Sequence, residues 1–375
     1  MKRKIFYLIS SLVQGGAERH LLDLARHLDP AAYEIALCVL DHEIHYAADL
    51  PGGEPRYVLS GKHFWSSRSR ADLVRSLREF RPDIVHCYLN DGNLWGRLAV
   101  RHLHPRPKVI TSVHLDDMPL PYRLAERGLH RRSDCIVAHS LSILKLLVER
   151  LGVPAGKVEV IANGVDPSRF LPAHVDACAA ARRRWEVPSG TFVALMPARI
   201  APQKNQDLVV ATLGRLKAAG RLPRAFLLFL AGRISSHKLS RRIDGLVAAT
   251  GLAAEVRRLG PVTEIDSLYA AADIALLPSR TEASPIAALE ALSAGLPVLL
   301  SDRANSDSVV IPGQNGWVVP ANDPRALEAA LVDVFASSKA ERQRRGLFGR
   351  AHVKSRFTAR RVAGDFQRLY DRLLA

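Results

Sequence analysis

Short, uninterrupted apolar runs alternate with longer amphipathic stretches along almost the whole chain, and this alternation restricts the fold more than any other feature. In the first half the runs are KIFYLIS, YEIALCVL, RYVLS, DIVHCY, KVITSVH, CIVAHS and VEVIANG. In the second half they are FVALMPAR, AFLLFLAG, EVRRLG, IALLPS, PVLLS and GWVVP. Helical patterns such as AERHLLDLARHL, RADLVRSLREF and IDSLYAAA lie between them. A strand that is apolar throughout is covered on both faces, so strands of this kind separated by helices predict parallel sheets flanked by helices. Two such series, one per half, predict an α/β chain of two doubly wound domains. The 375 residues agree, being too many for one ordinary core.

The first series ends in the turn-rich stretch NGVDPSRFLP, and the helix-like AHVDACAAARRRWEV leads into the second. We therefore expect one domain over 1–175 and another over 176–356. The C-terminal FTARRVAGDFQRLYDRLLA predicts an amphipathic helix within 357–375, with Val362, Phe366, Leu369 and Leu373 on one side.

Hydrophobic residues make up 48% of the chain and charged residues 24%, a mixture typical of globular proteins. No apolar run approaches the ~20 residues that span a bilayer. The N-terminal MKRKIFYLISSLVQGG mimics a signal peptide, but it has no clear small-residue cleavage site and reads as a first strand entering a Gly-Gly turn. Cys38, Cys87, Cys135 and Cys178 form no CxxC pair, and three of them lie in apolar strand runs. They read as free thiols, which favours a reducing cytosol. The 53 Lys+Arg against 37 Asp+Glu give a net charge of +16, which implies anionic partners: phosphorylated small molecules, an anionic membrane face or nucleic acid. The chain carries no helix-turn-helix, zinc or RNA-binding signature, so a nucleic-acid-binding protein is the weakest of these readings.

In open α/β sheets ligands bind outside the carboxyl ends of the strands, so residues just after strands carry the functional signal. The stretch TEASPIAALEALSAGLPVLLSD, residues 281–302, follows the strand IALLPS. Ser284 reads as an N-cap and Pro285 as the first helical residue, with the helix running to about Ala294 and ending at Gly295. Glu282 then sits in a strand-to-helix loop. The amides of Ser284, Ile286 and Ala287 open a helix whose positive end suits phosphate or sugar hydroxyls. Glu290 falls mid-helix among Leu289, Ala291 and Leu292. A buried carboxylate there needs hydrogen-bond donors, and ribose hydroxyls supply them; the alternative is a solvated helix face. A glycosidase acid–nucleophile pair would need carboxyls ~5–9.5 Å apart, and a loop Glu and a mid-helix Glu are poorly placed for it.

Arg199 and Lys204 follow the strand FVALMP, where two cations can neutralise a diphosphate or stand as solvated surface charges. Gly15 and Gly16 form a turn between the first strand and a helix starting near Ala17; glycines let a backbone approach a ligand closely. His114 ends the strand KVITSVH beside Asp116 and Asp117, as a general base, a metal ligand or a structural histidine. The segment KHFWSSRSR, residues 62–70, interleaves cations with Phe64 and Trp65, which suits a membrane surface, a lipid-diphosphate acceptor or an ordinary loop.

Taken together these motifs resemble retaining nucleotide-sugar glycosyltransferases of family 4. The Glu282–Glu290 spacing is similar to the family's Glu-x7-Glu signature. PARIAPQKNQDLVV, FLAGRI, RRLGPVTEIDSLYAAADIALLPSRTEASP and QNGWVVP follow in family order, as do LVQGGAERHLLDLA, SVH, VAHS and VIANGVDPSRF in the first half. The resemblance covers nearly the whole chain. It implies a GT-B fold, two Rossmann-like domains facing a cleft, with the last helix crossing back onto the first domain. It implies that Arg199 and Lys204 hold the donor's diphosphate and stabilise the departing nucleotide. Glu282 and the following amides would hold the donor sugar, Glu290 the ribose, and His114 would line the cleft near the sugar. Gly15 and Gly16 would lie against donor or acceptor, and Gly260, Pro261 and Val262 resemble a loop that contacts the base. No metal and no further cofactor are expected, because the cation pair can play the electrostatic role. The implied partners are a nucleoside-diphosphate sugar (UDP- or GDP-sugar) and a glycan or lipid-linked acceptor. The implied location is the cytoplasm or the inner face of its membrane. A nucleotide-sugar epimerase on the same fold is the rival enzyme. The sequence departs from the family in two places. The commoner Glu-Gly-Phe-Gly is Glu282-Ala283-Ser284-Pro285, and a usual glutamate is absent near Ser308, where Asp307 is the available carboxylate.

Overall fold

The computed structural model describes residues 2–13, 15–41, 44, 50, 56–59, 66–114, 118–172, 174–305 and 307–375. The chain divides into two compact units: residues 1–165 with 359–375, and residues 166–358. Each of the thirteen apolar runs forms a strand.

The first unit holds β1 (Arg3–Ile9), β2 (Tyr33–Val39), β3 (Tyr57–Val58), β4 (Ile84–Tyr88), β5 (Lys108–Val113), β6 (Cys135–Ala138) and β7 (Val158–Val160). They pair in parallel in the order β3-β2-β1-β4-β5-β6-β7. The two-residue period of a strand splits β1 between two cores. Ile5, Tyr7 and Ile9 join Leu21, Leu24, Val362, Phe366 and Leu369 on one face. Phe6 and Leu8 join Leu73, Leu77, Phe80 and Trp95 on the other. The C-terminal helix Ala359–Leu374 thus packs against the first sheet through the side read from the sequence, with Leu373 partly buried beside it. Cys38, Cys87 and Cys135 are buried free thiols, and burial pushes Cys87 and Cys135 up to about 12.

The second unit holds β8 (Phe192–Pro197), β9 (Phe226–Ala231), β10 (Val256–Gly260), β11 (Ile274–Leu277), β12 (Val298–Ser301) and β13 (Gly316–Val319), all parallel in the order β10-β9-β8-β11-β12-β13. Its strand order reverses between β8 and β11, and ligands of doubly wound sheets bind beside such a reversal. One helix, Lys339–Arg356, lies so close to the loop before β12 that a Cβ on Gly346 would stand 1.7 Å from the Gly295 carbonyl oxygen. Residues 166–175, expected with the first domain, belong to the second unit. Arg350 Nη1 donates to the Phe170 carbonyl at 2.5 Å, and the Phe170 ring lies 5.9 Å from that of Tyr269.

Candidate active site

Two strand-end loops meet at the reversal in the second unit. After β8 the chain turns through Arg199 and the short 3-10 turn Pro202–Lys204 into the helix Gln206–Ala218. After β11 it runs through Ser279, Arg280 and Glu282 to the helix Ile286–Ser293. Lys204 Nζ donates to Glu282 Oε1, which also accepts from Ser279 Oγ at 3.0 Å. Both ionic side chains are largely covered, 16% and 11% exposed. Covering an ion pair costs desolvation that packing alone would avoid, so this one calls for a reason beyond stability. An ammonium has three donors, so two on Lys204 remain for a further anion.

The loops are tied together by residues that the motifs did not single out. Asn205, at φ 58° and buried, donates to the Pro278 carbonyl at 2.9 Å and accepts from Arg280 Nε at 2.7 Å. Asparagine tolerates this left-handed conformation better than most residues. Gln203 donates to the Thr281 carbonyl at 2.9 Å and accepts from Arg199 Nη2 at 3.2 Å. Gln206 Nε2 donates to the Arg199 carbonyl at 2.8 Å. Arg199 itself is exposed.

Ser284 is not the N-cap of the following helix. Pro285 occupies that position with φ −84° and ψ 81°, and no side chain caps the helix. These angles are those of an inverse γ-turn, closed by the Ile286 amide donating to the Ser284 carbonyl at 3.0 Å. The Ile286 amide is therefore engaged by its own chain. The helix ends at Ser293, with Ala294 as C-cap and Gly295 at φ 78°, the left-handed position that ends many helices. Ala283 is not among the described residues with positive φ, so alanine fits where the family commonly has glycine.

Glu290 is half-buried and accepts at Oε2 from Tyr269 Oη at 2.9 Å. Burial raises the Tyr269 phenol well above its usual range, and the Glu290 charge and hydrogen bond raise it further, so it stays a donor. Tyr269, in the helix Ile265–Ala271, was legible only as an apolar position of IDSLYAAA. Glu282 and Glu290 have separate partners, as two binding groups would. Gly260 ends β10 at φ 68°, and its carbonyl accepts from the Gly232 amide at 2.7 Å. Pro261 is exposed and Val262 half-buried just beyond it.

In the first unit, Gly15 is the extended N-cap, and Gly16 rather than Ala17 the first residue, of the helix Gly16–His27, and the Glu18 carboxylate lies so close to Gly15 that a Cβ there would stand 2.4 Å from Oε2. His114, just past β5, belongs to an aromatic stack. Its ring lies 3.9 Å from that of His139 at 20°, 5.4 Å from Tyr88 and 5.7 Å from His20. His86 follows at 4.6 Å from Tyr88. Burial, reinforced by the neighbouring imidazoles, holds His20, His86 and His114 well below their usual pKa; burial alone takes His139 to about 3. His139 Nδ1 lies 2.9 Å from the Ile161 carbonyl, which can only accept, so Nδ1 carries the proton. Its Nε2, with those of His20 and His114, is buried without a partner among the described residues. The sequence pointed only to His114, because the stack joins four separate segments. Asp116, Asp117 and residues 62–65 lie outside the described residues; Ser66 caps the helix Ser67–Phe80. Among the described residues no group of three or more His, Cys, Asp or Glu is placed to hold a metal ion, and no helix is long and apolar enough to cross a membrane.

This pair of doubly wound units is shared with known enzymes. The family description "Glycosyl transferases group 1" matches residues 179–350, and "Glycosyltransferase Family 4" matches residues 14–169. A D-inositol 3-phosphate glycosyltransferase of Geodermatophilus obscurus is 31% identical over 327 residues, 81% of this chain and 69% of that protein. Its counterpart in Salinispora tropica is 28% identical over 357 residues, 84% and 73% of the two chains. Among solved structures, Anabaena Alr3699/HepE in complex with UDP and glucose superposes with a TM-score of 0.85 at 19% identity, covering 98% of this chain and 99% of that one. A glycosyltransferase from Rickettsia africae gives 0.84 at 20% identity, covering 100% and 99%. The chain is a glycosyltransferase of the GT-B fold. It belongs to family 4 of those enzymes.

Proposed function

We propose that the enzyme moves a sugar, with retention of configuration, from a UDP- or GDP-sugar to a hydroxyl of a glycan or lipid-linked acceptor. The observation that carries this reading is the meeting of Lys204 and Glu282 beside the reversal in the second sheet. It supports a site with a cation for diphosphate and a carboxylate for sugar hydroxyls on adjoining loops. Arg199 adds a forked donor to the diphosphate. Glu290, steadied by Tyr269, accepts from the ribose hydroxyls, and the backbone of Gly260, Pro261 and Val262 meets the base. Ala287 and Ser284 supply the amides beside the sugar.

Departure of the nucleotide leaves negative charge on the β-phosphate, and Lys204 and Arg199 stabilise it as it develops. The same phosphate takes the proton of the attacking hydroxyl on the face it leaves, which gives retention. The helix start at Gly15 and Gly16 and the neutral His114 are assigned to the ligands by the family resemblance, His114 as an acceptor for a sugar hydroxyl.

The test is nucleotide release from UDP-, GDP- and ADP-sugars with a panel of glycan and lipid-linked acceptors, with the anomeric configuration of the product read by NMR. The expected result is acceptor-dependent release with an unchanged anomeric configuration. An inverted product, or conversion of the donor into an isomeric nucleotide sugar without an acceptor, would overturn the proposal.

A further inference from the structure

The loop that follows β9, residues 232–236, is pinned to the strand ends on either side of it. A Cβ on Gly232 would stand 2.3 Å from the Ala198 carbonyl oxygen, so glycine lets the loops after β8 and β9 close up. The Gly232 amide donates to the Gly260 carbonyl at 2.7 Å, and the Ile200 amide donates to the Arg233 carbonyl at 2.8 Å. The amides of Ser235 and Ser236 donate to the Ile200 carbonyl at 3.0 and 3.1 Å. The backbone of Arg233 is thus fixed between the loop of Arg199 and the end of β10. Its Nε is covered and meets no acceptor among the described residues. A covered donor left without an acceptor is costly, and a ligand that supplies one removes the cost. Ile234, the next residue, is 46% exposed although it bridges to Ile200, which leaves apolar surface open at the same strand end.

We propose that Arg233 contacts the base of the donor nucleotide and selects a base with a carbonyl at the contacted edge, guanine or uracil, over adenine or cytosine; the inference rests on the donor site of the proposed function. Neighbouring strands lie ~4.8 Å apart. The sheet order β11-β8-β9-β10 therefore sets Glu282, the Arg199 and Lys204 pair, Arg233 and Gly260 at successive steps, ~14 Å from first to last. A donor laid across these strand ends, with its sugar at Glu282 and its diphosphate at Arg199 and Lys204, reaches β9 and β10 with its nucleoside. A guanidinium offers donors only. Guanine presents the adjacent acceptors O6 and N7, which fit the guanidinium fork, and uracil presents O4. Adenine and cytosine carry an amino group, N6 and N4, where those carbonyls stand, and so set donor against donor. The open surface of Ile234 suits the apolar face of a base.

The test is titration calorimetry of the full chain with GDP, ADP, UDP, CDP and inorganic pyrophosphate, on wild type, Arg233→Ala, Arg233→Lys and Lys204→Ala. The wild type is expected to bind GDP about tenfold or more tighter than ADP, or UDP than CDP by the same margin. Arg233→Ala is expected to weaken the favoured nucleotide about tenfold and to leave its amino counterpart and pyrophosphate unchanged, so that the ratio falls toward one. Arg233→Lys keeps the charge without the fork and is expected to fall between the two. Both variants are expected to melt as the wild type does, because backbone bonds hold the loop. Lys204→Ala is expected to weaken all four nucleotides and pyrophosphate alike. Arg233→Ala weakening all five ligands equally would make Arg233 a further cation for the diphosphate and overturn the proposal. A wild type that binds amino and carbonyl bases equally, or a ratio that survives in Arg233→Ala, would overturn it as well while leaving the donor site standing. No nucleotide binding by the wild type, or full binding by Lys204→Ala, would overturn the donor site itself and this inference with it.

Discussion

The buried ion pair between Arg97 and Glu126 gives the most quantitative test of the first unit. Arg97 is 1% exposed and donates to both Glu126 oxygens, to Ser133 Oγ at 2.8 Å and to Thr111 Oγ1 at 2.9 Å. Glu126→Ala leaves a guanidinium with no counter-charge in a covered site, a loss of about 3–5 kcal/mol. For a unit of this size each kcal/mol lowers the melting temperature by about 2–4 °C, so the expected drop is roughly 10 °C. Replacing both partners by apolar side chains of similar volume removes the stranded charge. Ser133 and Thr111 remain bonded to each other at 3.2 Å, so neither hydroxyl is orphaned. Arg97→Met/Glu126→Leu is therefore expected to recover at least half of the loss. Calorimetry and urea unfolding of wild type, Arg97→Met, Glu126→Leu and the double variant measure the coupling. A single variant within about 1 kcal/mol of wild type, or a double variant whose loss is the sum of the singles, would refute the reasoning.

Three further outcomes follow from the same structure. His20, His86, His114 and His139 are neutral when folded and gain protons near pH 6.5 when unfolded, so the unfolded state binds more protons below that pH. Stability is expected to fall as pH drops from 6.5 toward the folded values, about 3 for His139, by about 1.4 kcal/mol per pH unit for each imidazole; melting curves between pH 7 and 5 measure it, and a flat profile would contradict the neutral stack. Gly346→Ala places a methyl against the Gly295 backbone and is expected to cost about 1–3 kcal/mol or more, read as a lowered unfolding midpoint; an unchanged midpoint would mean the helix Lys339–Arg356 is free to shift. Tyr269→Phe removes the donor to Glu290 and is expected to weaken nucleotide binding severalfold, about 0.5–1.5 kcal/mol, in a titration calorimeter; unaltered affinity would separate Glu290 from the nucleotide.

The strands were legible because each was an apolar run bounded by turn residues, from KIFYLIS to GWVVP, and burial on both faces leaves that pattern in the sequence. The side of the last helix was legible for the same reason: Val362, Phe366 and Leu369 recur at helical spacing. What joins the loops of the site was not. Lys204 and Glu282 are 78 positions apart, and no local pattern says that they touch; only the resemblance placed both at one ligand. Asn205, Ser279 and Tyr269 carried no signal of their own in the sequence, because their roles lie in hydrogen bonds that exist only once the loops have met. The reading of Ser284 as an N-cap followed from serine before proline, and it failed because Pro285 closed a tighter turn that spent the Ile286 amide. His114 was visible at a strand end, while His20, His86 and His139 became part of the same feature only once four segments were folded together.

On the proposed function, the second unit holds a nucleoside-diphosphate sugar through Glu290, Lys204 and Glu282. The most direct measurement is a thermal-shift series with UDP, GDP and ADP and their sugar conjugates on wild type and Glu290→Ala. A nucleotide present at 100 times its Kd stabilises by about 2.7 kcal/mol. One base is expected to raise the melting temperature of the wild type, and Glu290→Ala to lose most of that rise while melting normally without ligand. Wild type and variant responding alike, or no nucleotide shifting either, would contradict it.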